Sequence, residues 1–359
     1  MTRMFSLSIF DRFLGRGSAA VTVPPLDGGL KPNNGLEDLA PGIAADRPDD
    51  IVLWQGRPVW SDGARICDAS GVVLSDLGSD ITALAAQGDK LAVASLKGGL
   101  RLLDASLADI TPSWAADIIN VTALTFAADG RLWFCTGSMQ NAPDNWRRDL
   151  MEKNSSGLVG HVDCVSGDVR IVRRKLGYPA GIAALESGSV VVSEAWKSHI
   201  VEIDPKGGLK IVFDEIPGYP GRLIARAEGG YWLCVFAPRS PLIEFVLRED
   251  EYRNAMLSDL DPIFWVAPNY SSGASFYEPM QGGALKRMGI LKPWAPTLSY
   301  GLVAALDKNF IPQYSYHSRA GGHRHGVTSG VEHDGALWLA GRGCKEVLKI
   351  DLTNRGEMA

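Results

Sequence analysis

The sequence repeats one phrase six times: a turn, an apolar strand, a short turn that contains a glycine, and a second apolar strand. Two apolar strands joined by a short glycine turn are typical of a β-hairpin, and a hairpin repeated at this scale is typical of stacked or radial sheets. The turn glycines are Gly56, Gly88, Gly130, Gly188, Gly229 and Gly335. Six four-stranded units predict an all-β fold, a six-bladed β-propeller, with any functional site at one mouth of its central channel.

The spacing of the turn glycines also locates two insertions. The widest intervals follow Gly130 and Gly229, which assigns extra residues to blades 3 and 5. Both insertions are predicted to contain short helices, at residues 149–152 in blade 3 and at residues 249–260 and 284–288 in blade 5. Because long loops on a rigid scaffold usually shape a binding site, we expect both to lie over the same face of the ring.

Composition limits the classes of function. The net charge of −5 leaves no basic stripe to neutralise phosphates, so nucleic acid is not an expected partner. No apolar run reaches the length of about eighteen residues that a spanning helix needs. The five cysteines are scattered without metal-ligand spacing, which indicates mostly buried thiols in a reducing compartment and a cytoplasmic location. The oligomeric state is left open.

The N-terminal residues 1–23 are predicted to be a separate leader, followed by a single propeller domain over residues 24–359. Phenylalanines and arginines are interleaved in the leader. It is therefore either a short amphipathic helix that contacts a membrane or a surface segment packed on the propeller, and we expect the second. A strand near residues 20–23 is expected to pair with the last strand, at residues 346–351, and so to close the ring.

Two groups of residues resemble the strictosidine synthase-like family. The phrase Ile-Pro-Gly-Tyr-Pro at 216–220 precedes Gly-Gly-Tyr-Trp at 229–232, and Tyr-His-Ser at 316–318 precedes a matching phrase at 325–335. The resemblance implies a six-bladed propeller with a small-molecule site at the channel mouth. The family is similar to the paraoxonases, to gluconolactonase and regucalcin, and to adipocyte plasma membrane-associated protein. It does not fix the reaction, because one fold hosts many activities.

The resemblance bears on calcium as well. In metal-dependent relatives, the residues that open the inner strands bind one calcium ion through oxygen atoms, as a hard cation requires. The matching positions in this chain are Asp49, Thr122, Ala180, Gly221 and Arg222. One carboxylate, a methyl group and a guanidinium do not supply six oxygens, and the guanidinium repels a dication. We therefore predict no cofactor, with calcium an option only if insertion residues supply new ligands.

The reaction of strictosidine synthase itself is not expected. The resemblance aligns Thr328 with the catalytic glutamate of that enzyme and Gly326 with a histidine. Without a carboxylate to hold and deprotonate an amine, an amine–aldehyde condensation lacks its base.

Side chains expected at the channel mouth supply the remaining candidates. Arg222 is suited either to binding a substrate anion bidentately or to an ion pair with Asp49 across the channel. His325 is a candidate general base that Asp49 would orient, with a hydrogen-bonded rim histidine as the alternative. His317 is a further catalytic candidate, with a structural role as its alternative. The candidates for substrate contact, beside Arg222, are Trp146, Thr122, Thr328, Arg342 and His323.

Three functions follow from these residues. The first is a metal-independent hydrolase of a small lactone or ester that is anionic or polyhydroxylated. The second is a non-catalytic propeller that binds a small ligand and carries a degenerate metal site. The third, an amine–aldehyde condensing synthase, is disfavoured by Thr328. In each case the expected partner is a small molecule.

Overall fold

Six antiparallel sheets are arranged around one axis. The computed structural model describes residues 23–270, 285–287, 290–291, 299–318 and 322–353. Within these ranges, five sheets have four strands, one has three, and a separate hairpin has two. The innermost strand of each blade contacts the innermost strands of its two neighbours, and the sixth contacts the first. The predicted six-bladed β-propeller is therefore confirmed.

Each blade runs outward from the axis, and its strands follow in that order, innermost first. Blade 1 contains Pro48–Trp54, Arg57–Asp62, Arg65–Asp68 and Val73–Asp76, and blade 2 contains Ile81–Gln87, Lys90–Ser95 and Gly99–Leu103. Blade 3 contains Val121–Phe126, Leu132–Thr136, Gly157–Val162 and Val169–Leu176, and blade 4 contains Pro179–Ala184, Val190–Glu194, His199–Ile203 and Leu209–Phe213. Blade 5 contains Gly218–Ala225, Tyr231–Pro238, Leu302–Leu306 and Pro312–His317, and blade 6 contains Val327–His333, Ala336–Gly341, Glu346–Asp351 and Ile43–Ala44.

The six turn glycines lie between the first and second strands of their blades. All six have positive φ, from 56° at Gly88 to 88° at Gly229. This is the left-handed region that a tight hairpin turn needs and that glycine adopts without a steric penalty. The repeat in the sequence therefore marks the turn that connects the first two strands of each blade.

The core lies between adjacent blades. Each of the six pairs of neighbouring blades shares a buried apolar cluster. Trp54 lies between blades 1 and 2, Trp133 between blades 3 and 4, and Trp232 between blades 5 and 6, each at most 2% exposed. Because successive residues of a strand point to opposite faces of its sheet, each blade packs against two neighbours at once.

The ring is closed by a strand that precedes blade 1 in sequence. Ile43 pairs with Val347 and Ala44 with Glu346, so Ile43–Ala44 is the outermost strand of blade 6. Closure by an early strand was predicted, but the prediction that residues 20–23 form it was wrong in position, since Ile43–Ala44 occupies that edge. Residues 1–22 of the predicted leader lie outside the described part of the chain.

One buried arginine holds the segment before the closing strand. Arg324 is 7% exposed, and its guanidinium donates hydrogen bonds to the carbonyls of Leu36 at 2.7 Å, Leu39 at 2.6 Å and Ala40 at 2.9 Å. Three charge-assisted hydrogen bonds to one short segment fix its path to the edge of blade 6.

The insertions form a helical layer over one face of the ring. Blade 3 contributes α1, Trp146–Met151, and blade 5 contributes α2, Pro241–Arg248, and α3, Asp250–Asp259. Leu150 and Met151 of α1 share a buried cluster with Val246 and Met256 of the other two helices. The predicted helices in blades 3 and 5 are confirmed. The helix expected at 284–288 is wrong, because Leu285–Arg287 is a strand that pairs with Ile290–Leu291.

The five cysteines are free thiols, and four of them are buried, as expected from their spacing. Burial raises the pKa of Cys344 to about 11, so this thiol stays protonated at neutral pH. Within the described ranges, no helix has the length and apolar character needed to cross a bilayer.

Candidate functional site

Two chambers occupy the central channel, one on each side of Arg222. The first, of about 380 Å³, lies at the mouth where the inner strands begin, and the helical insertions contribute to its wall. The second, of about 430 Å³, is lined by the later residues of the same inner strands. Arg222 lines both chambers, whereas Asp49 lines only the first and Asp50 only the second.

A β-bulge opens each of the six inner strands. In five blades the pairing register shifts directly after the residue that opens the inner strand or one near it: Pro48, Ile81, Pro179, Pro220 and Val327. In blade 3 it shifts between Cys135, which pairs with Ala123, and Thr136, which pairs with Val121. A bulged residue leaves the regular ladder, so its carbonyl group is available for other partners. The six bulges bring residues 49, 82, 122, 180, 222 and 328 to equivalent positions around the axis.

Arg222 binds the carbonyls that these bulges release. Its guanidinium nitrogens contact six oxygen atoms from four other blades, of which four are main-chain carbonyl oxygens and two belong to carboxylates. The carbonyl partners are Asp49 at 3.2 Å, Thr82 at 2.5 Å, Thr122 at 3.4 Å and Thr328 at 3.3 Å, and the carboxylates are Asp49 at 3.1 Å and Asp50 at 3.2 Å. The ion pair with Asp49, one of the two alternatives for Arg222, is present.

The electrostatics of this cluster are strongly coupled. Burial alone would lower the pKa of Arg222, but the charges of Asp50 and Asp49 raise it above its usual value. Burial alone would raise the pKa of Asp49, but Arg222 and Arg342 outweigh it and hold that pKa below its usual value. The pKa of Asp50 is raised by burial, which Arg222 offsets only in part. Asp49 is therefore the ionised carboxylate of the mouth at neutral pH.

Asp49 lies between two guanidinium groups at the floor of the first chamber. Arg342 Nη1 donates to Asp49 Oδ1 at 2.8 Å, and Arg222 Nη2 donates to Asp49 Oδ2 at 3.1 Å. The Arg342 side chain is 35% exposed, and its guanidinium lies 5.4 Å from the centre of the Tyr270 ring. Arg342 thus presents a partly exposed cation to the chamber beside a fixed carboxylate.

Six aromatic side chains from blades 3, 4 and 5 and from the insertion of blade 5 line the other side of this chamber. Tyr178 stacks on Trp196 at a centroid distance of 4.4 Å, and Trp196 Nε1 donates to Asp149 Oδ2 at 2.8 Å. Trp146 meets Phe236 edge-on at 5.0 Å. The full set is Trp146, Tyr178, Trp196, Tyr219, Phe236 and Tyr270, and we call it the aromatic wall. Rings held by one another form a preformed apolar surface.

Six of the nine predicted site residues line this chamber: Asp49, Thr122, Trp146, Arg222, Thr328 and Arg342. The two threonine hydroxyls already have partners on neighbouring blades. Thr122 Oγ1 donates to the Pro179 carbonyl at 2.6 Å, and Thr328 Oγ1 donates to the Asp49 carbonyl at 2.6 Å. Both hydroxyls therefore connect adjacent inner strands.

The three predicted histidines lie elsewhere, and no histidine of the described residues lines the chamber. His325 Nδ1 is hydrogen-bonded to Ser299 Oγ. His317 is fully buried in blade 5, where its ring contacts Ser315 Oγ at 2.8 Å, and burial lowers its pKa to about 4. His323 has a side chain that is 68% exposed and lies 3.6 Å from Glu346.

Sequence reasoning missed most of the aromatic wall. Tyr178 and Tyr219 both stand in a Gly-Tyr-Pro phrase that opens the inner strand of blade 4 or blade 5. That repeated phrase was the available signal. Arg147 of α1 was also missed, although it lines the chamber. Burial lowers the pKa of Arg147, and its Nη1 atom is buried without a hydrogen bond to any described residue.

Calcium does not fit the axis as it stands. Oxygen atoms converge there, but the Arg222 guanidinium is already bound among them and carries a like charge. Among the described residues, no group of three His, Cys, Asp or Glu side chains is arranged to hold a metal ion.

A closed six-bladed ring with a cavity of charged and aromatic residues at one mouth of its channel defines a propeller with a candidate ligand site. No family model matches the chain. Adipocyte plasma membrane-associated protein of Salmo salar is 26% identical over 243 residues, or 65% of this chain and 52% of that protein. The Mus musculus protein of the same name is 28% identical over 144 residues, which are 37% of this chain and 34% of that protein. The chain thus matches about half or less of the length of these relatives.

Solved structures share the fold at low sequence identity. Regucalcin of Agrobacterium tumefaciens, a calcium-binding protein, gives a TM-score of 0.52 at 14% identity and covers 84% of this chain and 85% of its own. A gluconolactonase of Xanthomonas campestris gives a TM-score of 0.53 at 14% identity, and the match covers 91% of this chain and 98% of the gluconolactonase. At this identity the solved structures show the fold, and together with the curated relatives they fit a strictosidine synthase-like propeller family.

Proposed function

We propose that the protein is a metal-independent hydrolase that acts on a small lactone or ester in the first chamber. The observation that carries the proposal is the fixed carboxylate of Asp49 beside the partly exposed Arg342 guanidinium, 2.8 Å away. The gluconolactonase among the structural neighbours supports a lactone as the substrate class. Its likeness to this chain is one of fold, so the roles of the residues rest on the geometry of this chamber.

In this proposal Asp49 is the general base and Arg342 is the electrophile. Asp49 takes a proton from a water molecule as the water oxygen adds to the carbonyl carbon. The guanidinium of Arg342 stabilises the oxyanion that forms. Asp49 then returns the proton to the leaving alkoxide oxygen as the carbon–oxygen bond breaks, which yields a hydroxy acid from a lactone. A carboxylate of low pKa is a weak base, so orientation and oxyanion stabilisation supply most of the rate.

The substrate anion is assigned to Arg342 and Arg147 rather than to Arg222. Arg222 already contacts six oxygens and would lose several of these contacts on binding a ligand. Arg147 lies at the chamber with a buried nitrogen that has no described hydrogen-bond partner. Arg222 Nε is also buried without a hydrogen bond, but the Asp50 carboxylate lies 3.2 Å from it and already supplies the negative charge that an anionic ligand would bring.

A second candidate function is ligand binding without turnover. The low pKa of Asp49 favours it, because such a carboxylate accepts a proton reluctantly. The aromatic wall and the two arginines would then select an apolar ligand that carries an anionic group.

One assay separates the two functions. The purified protein is incubated with aliphatic lactones, sugar lactones and aryl esters, with and without a chelator, and hydrolysis is followed by acid release. Turnover that survives the chelator and is lost in Asp49→Asn supports the hydrolase. Turnover abolished by the chelator contradicts metal independence. Absence of turnover on all compounds, with binding of one of them detected by calorimetry, favours the binding protein.

A further inference from the structure

The axis of this propeller carries the geometry of a cation site. Four main-chain carbonyl oxygens and two carboxylate oxygens, contributed by blades 1, 2, 3 and 6, lie within 3.4 Å of one positively charged group. Carbonyls and carboxylates in this number are the ligands that calcium takes in proteins. The group that they surround is the guanidinium of Arg222, from blade 5.

The carbonyls converge because of the backbone and not because of their side chains. Thr82, Thr122 and Thr328 contribute main-chain oxygens from the bulges that open three inner strands. A bulge frees a carbonyl from the sheet ladder whatever the side chain at that position. Replacing Arg222 would therefore leave these oxygens in place.

The charge balance of the cluster sets the cation preference. Asp49 and Asp50 contribute two carboxylates, and Arg222 and Arg342 contribute two guanidinium groups, of which only Arg222 lies among the carbonyls. Removing Arg222 leaves two acidic groups against one cation, and removing both arginines leaves a net charge that suits a dication.

We infer that the axis is a latent divalent-cation site in which Arg222 is the resident cation, supplied by the chain itself. The guanidinium offsets the mutual repulsion of the carbonyl and carboxylate oxygens that four blades direct at the axis. The inference concerns binding and stability and does not depend on the proposed reaction, since its test needs no turnover.

The test is a gain of calcium binding. Arg222→Ala and Arg222→Ala/Arg342→Ala are titrated with Ca²⁺ by calorimetry, and the thermal midpoint is measured with and without Ca²⁺. We expect no calcium response from the natural sequence and a rise of about 5 °C in the single variant at a hundredfold excess over Kd. We expect tighter binding in the double variant. Arg222→Ala combined with Asp49→Asn and Asp50→Asn is the matched control and should lose the response.

A folded Arg222→Ala variant that shows no calcium response contradicts a latent site, as does calcium binding by the natural sequence at this axis. Should Arg222→Ala fail to fold alone, its refolding yield is compared in Ca²⁺, in Mg²⁺ and in chelator. A yield that rises with Ca²⁺ supports the inference, and equal yields contradict it. Arg222→Lys, which keeps one positive charge at the axis, should exclude Ca²⁺ and recover part of the thermal midpoint.

Discussion

Asp49 and Asp50 are adjacent in the chain, yet their carboxylates face opposite chambers of the channel, with the Arg222 guanidinium between them. The bulge at the start of the first inner strand produces this division. The two neighbouring carboxyl groups differ accordingly: the pKa of Asp49 is lowered from its usual value, and the pKa of Asp50 is raised. The mouth therefore receives the carboxylate that stays ionised.

If Asp49 is the base, its amide variant should lose most of the activity. We expect Asp49→Asn to lower kcat by roughly 10²- to 10⁴-fold, the range typical of a general base. His325→Ala is the matched comparison, because that ring bonds to Ser299 outside the chamber. A larger loss of kcat in His325→Ala than in Asp49→Asn would return the role of base to the histidine. Circular dichroism of both variants controls for misfolding.

The pH profile distinguishes the same two bases without a mutation. A carboxyl whose pKa is held low is ionised at every pH above its usual range, so kcat/KM should stay level from about pH 8 down to about pH 5. A histidine base would instead produce an acid limb near its usual pKa of about 6.5. An inflection near that pH, absent in His325→Ala, would contradict the assignment to Asp49.

The aromatic wall should control KM more than kcat. Trp146 contacts Phe236 and Tyr270 at the chamber, so its truncation removes apolar surface without touching Asp49 or Arg342. We expect Trp146→Ala to raise KM by about 10-fold and to leave kcat within a few-fold. Trp146→Phe should recover most of the affinity. A fall in kcat at constant KM would mean that this ring positions the reacting atoms.

The turn glycines show why the fold was predictable. A hairpin turn with positive φ strongly favours glycine, so a structural requirement of each blade appears directly as a residue type. The aromatic wall was less accessible, because Trp146, Trp196 and Phe236 are distant in sequence and meet only in the folded ring. The partners of Arg222 were hidden for another reason. They are mostly main-chain carbonyls freed by bulges. Every residue has such a carbonyl, so the residue types do not show which ones reach the axis.

The buried histidine of blade 5 should make stability depend on pH. His317 has a pKa of about 4 when folded and about 6.5 when unfolded, so its contribution to stability is complete above pH 6.5 and is lost as pH falls toward 4. We expect the free energy of unfolding to drop by about 2 kcal/mol between pH 7 and pH 5 through this group. Urea midpoints at both pH values measure it.

His317→Gln should remove that part of the pH dependence while it keeps a hydrogen-bonding side chain next to Ser315. His323→Gln is the control, since the side chain of His323 is 68% exposed. Equal losses between pH 7 and pH 5 in both variants and in the natural sequence would show that another group is responsible.

Ring closure should be sensitive to one small residue. A Cβ atom on Gly42 would lie 2.5 Å from the carbonyl oxygen of Val347, so the closing strand must shift to accept a side chain. We expect Gly42→Val to destabilise the fold by about 1–3 kcal/mol, with a lower thermal midpoint. Gly177→Ala is the control for loss of a glycine without a backbone clash, because Gly177 is not among the residues with positive φ and the atoms nearest its added Cβ, from 3.0 Å, belong to the flexible side chain of Lys197. A larger effect in the control would contradict the steric argument.

The pairing of Ile43 with Val347 has a consequence for how the chain reaches its native state. Among the described strands, the two parts of blade 6 are the paired segments most widely separated in sequence, and the ring cannot close until the later part has been synthesised. Contacts of such sequence separation slow folding, because loop closure must precede any gain from pairing. The six blades should accordingly become stable together only once Glu346–Asp351 has been synthesised, whereas the repeats of an open solenoid can fold one after another.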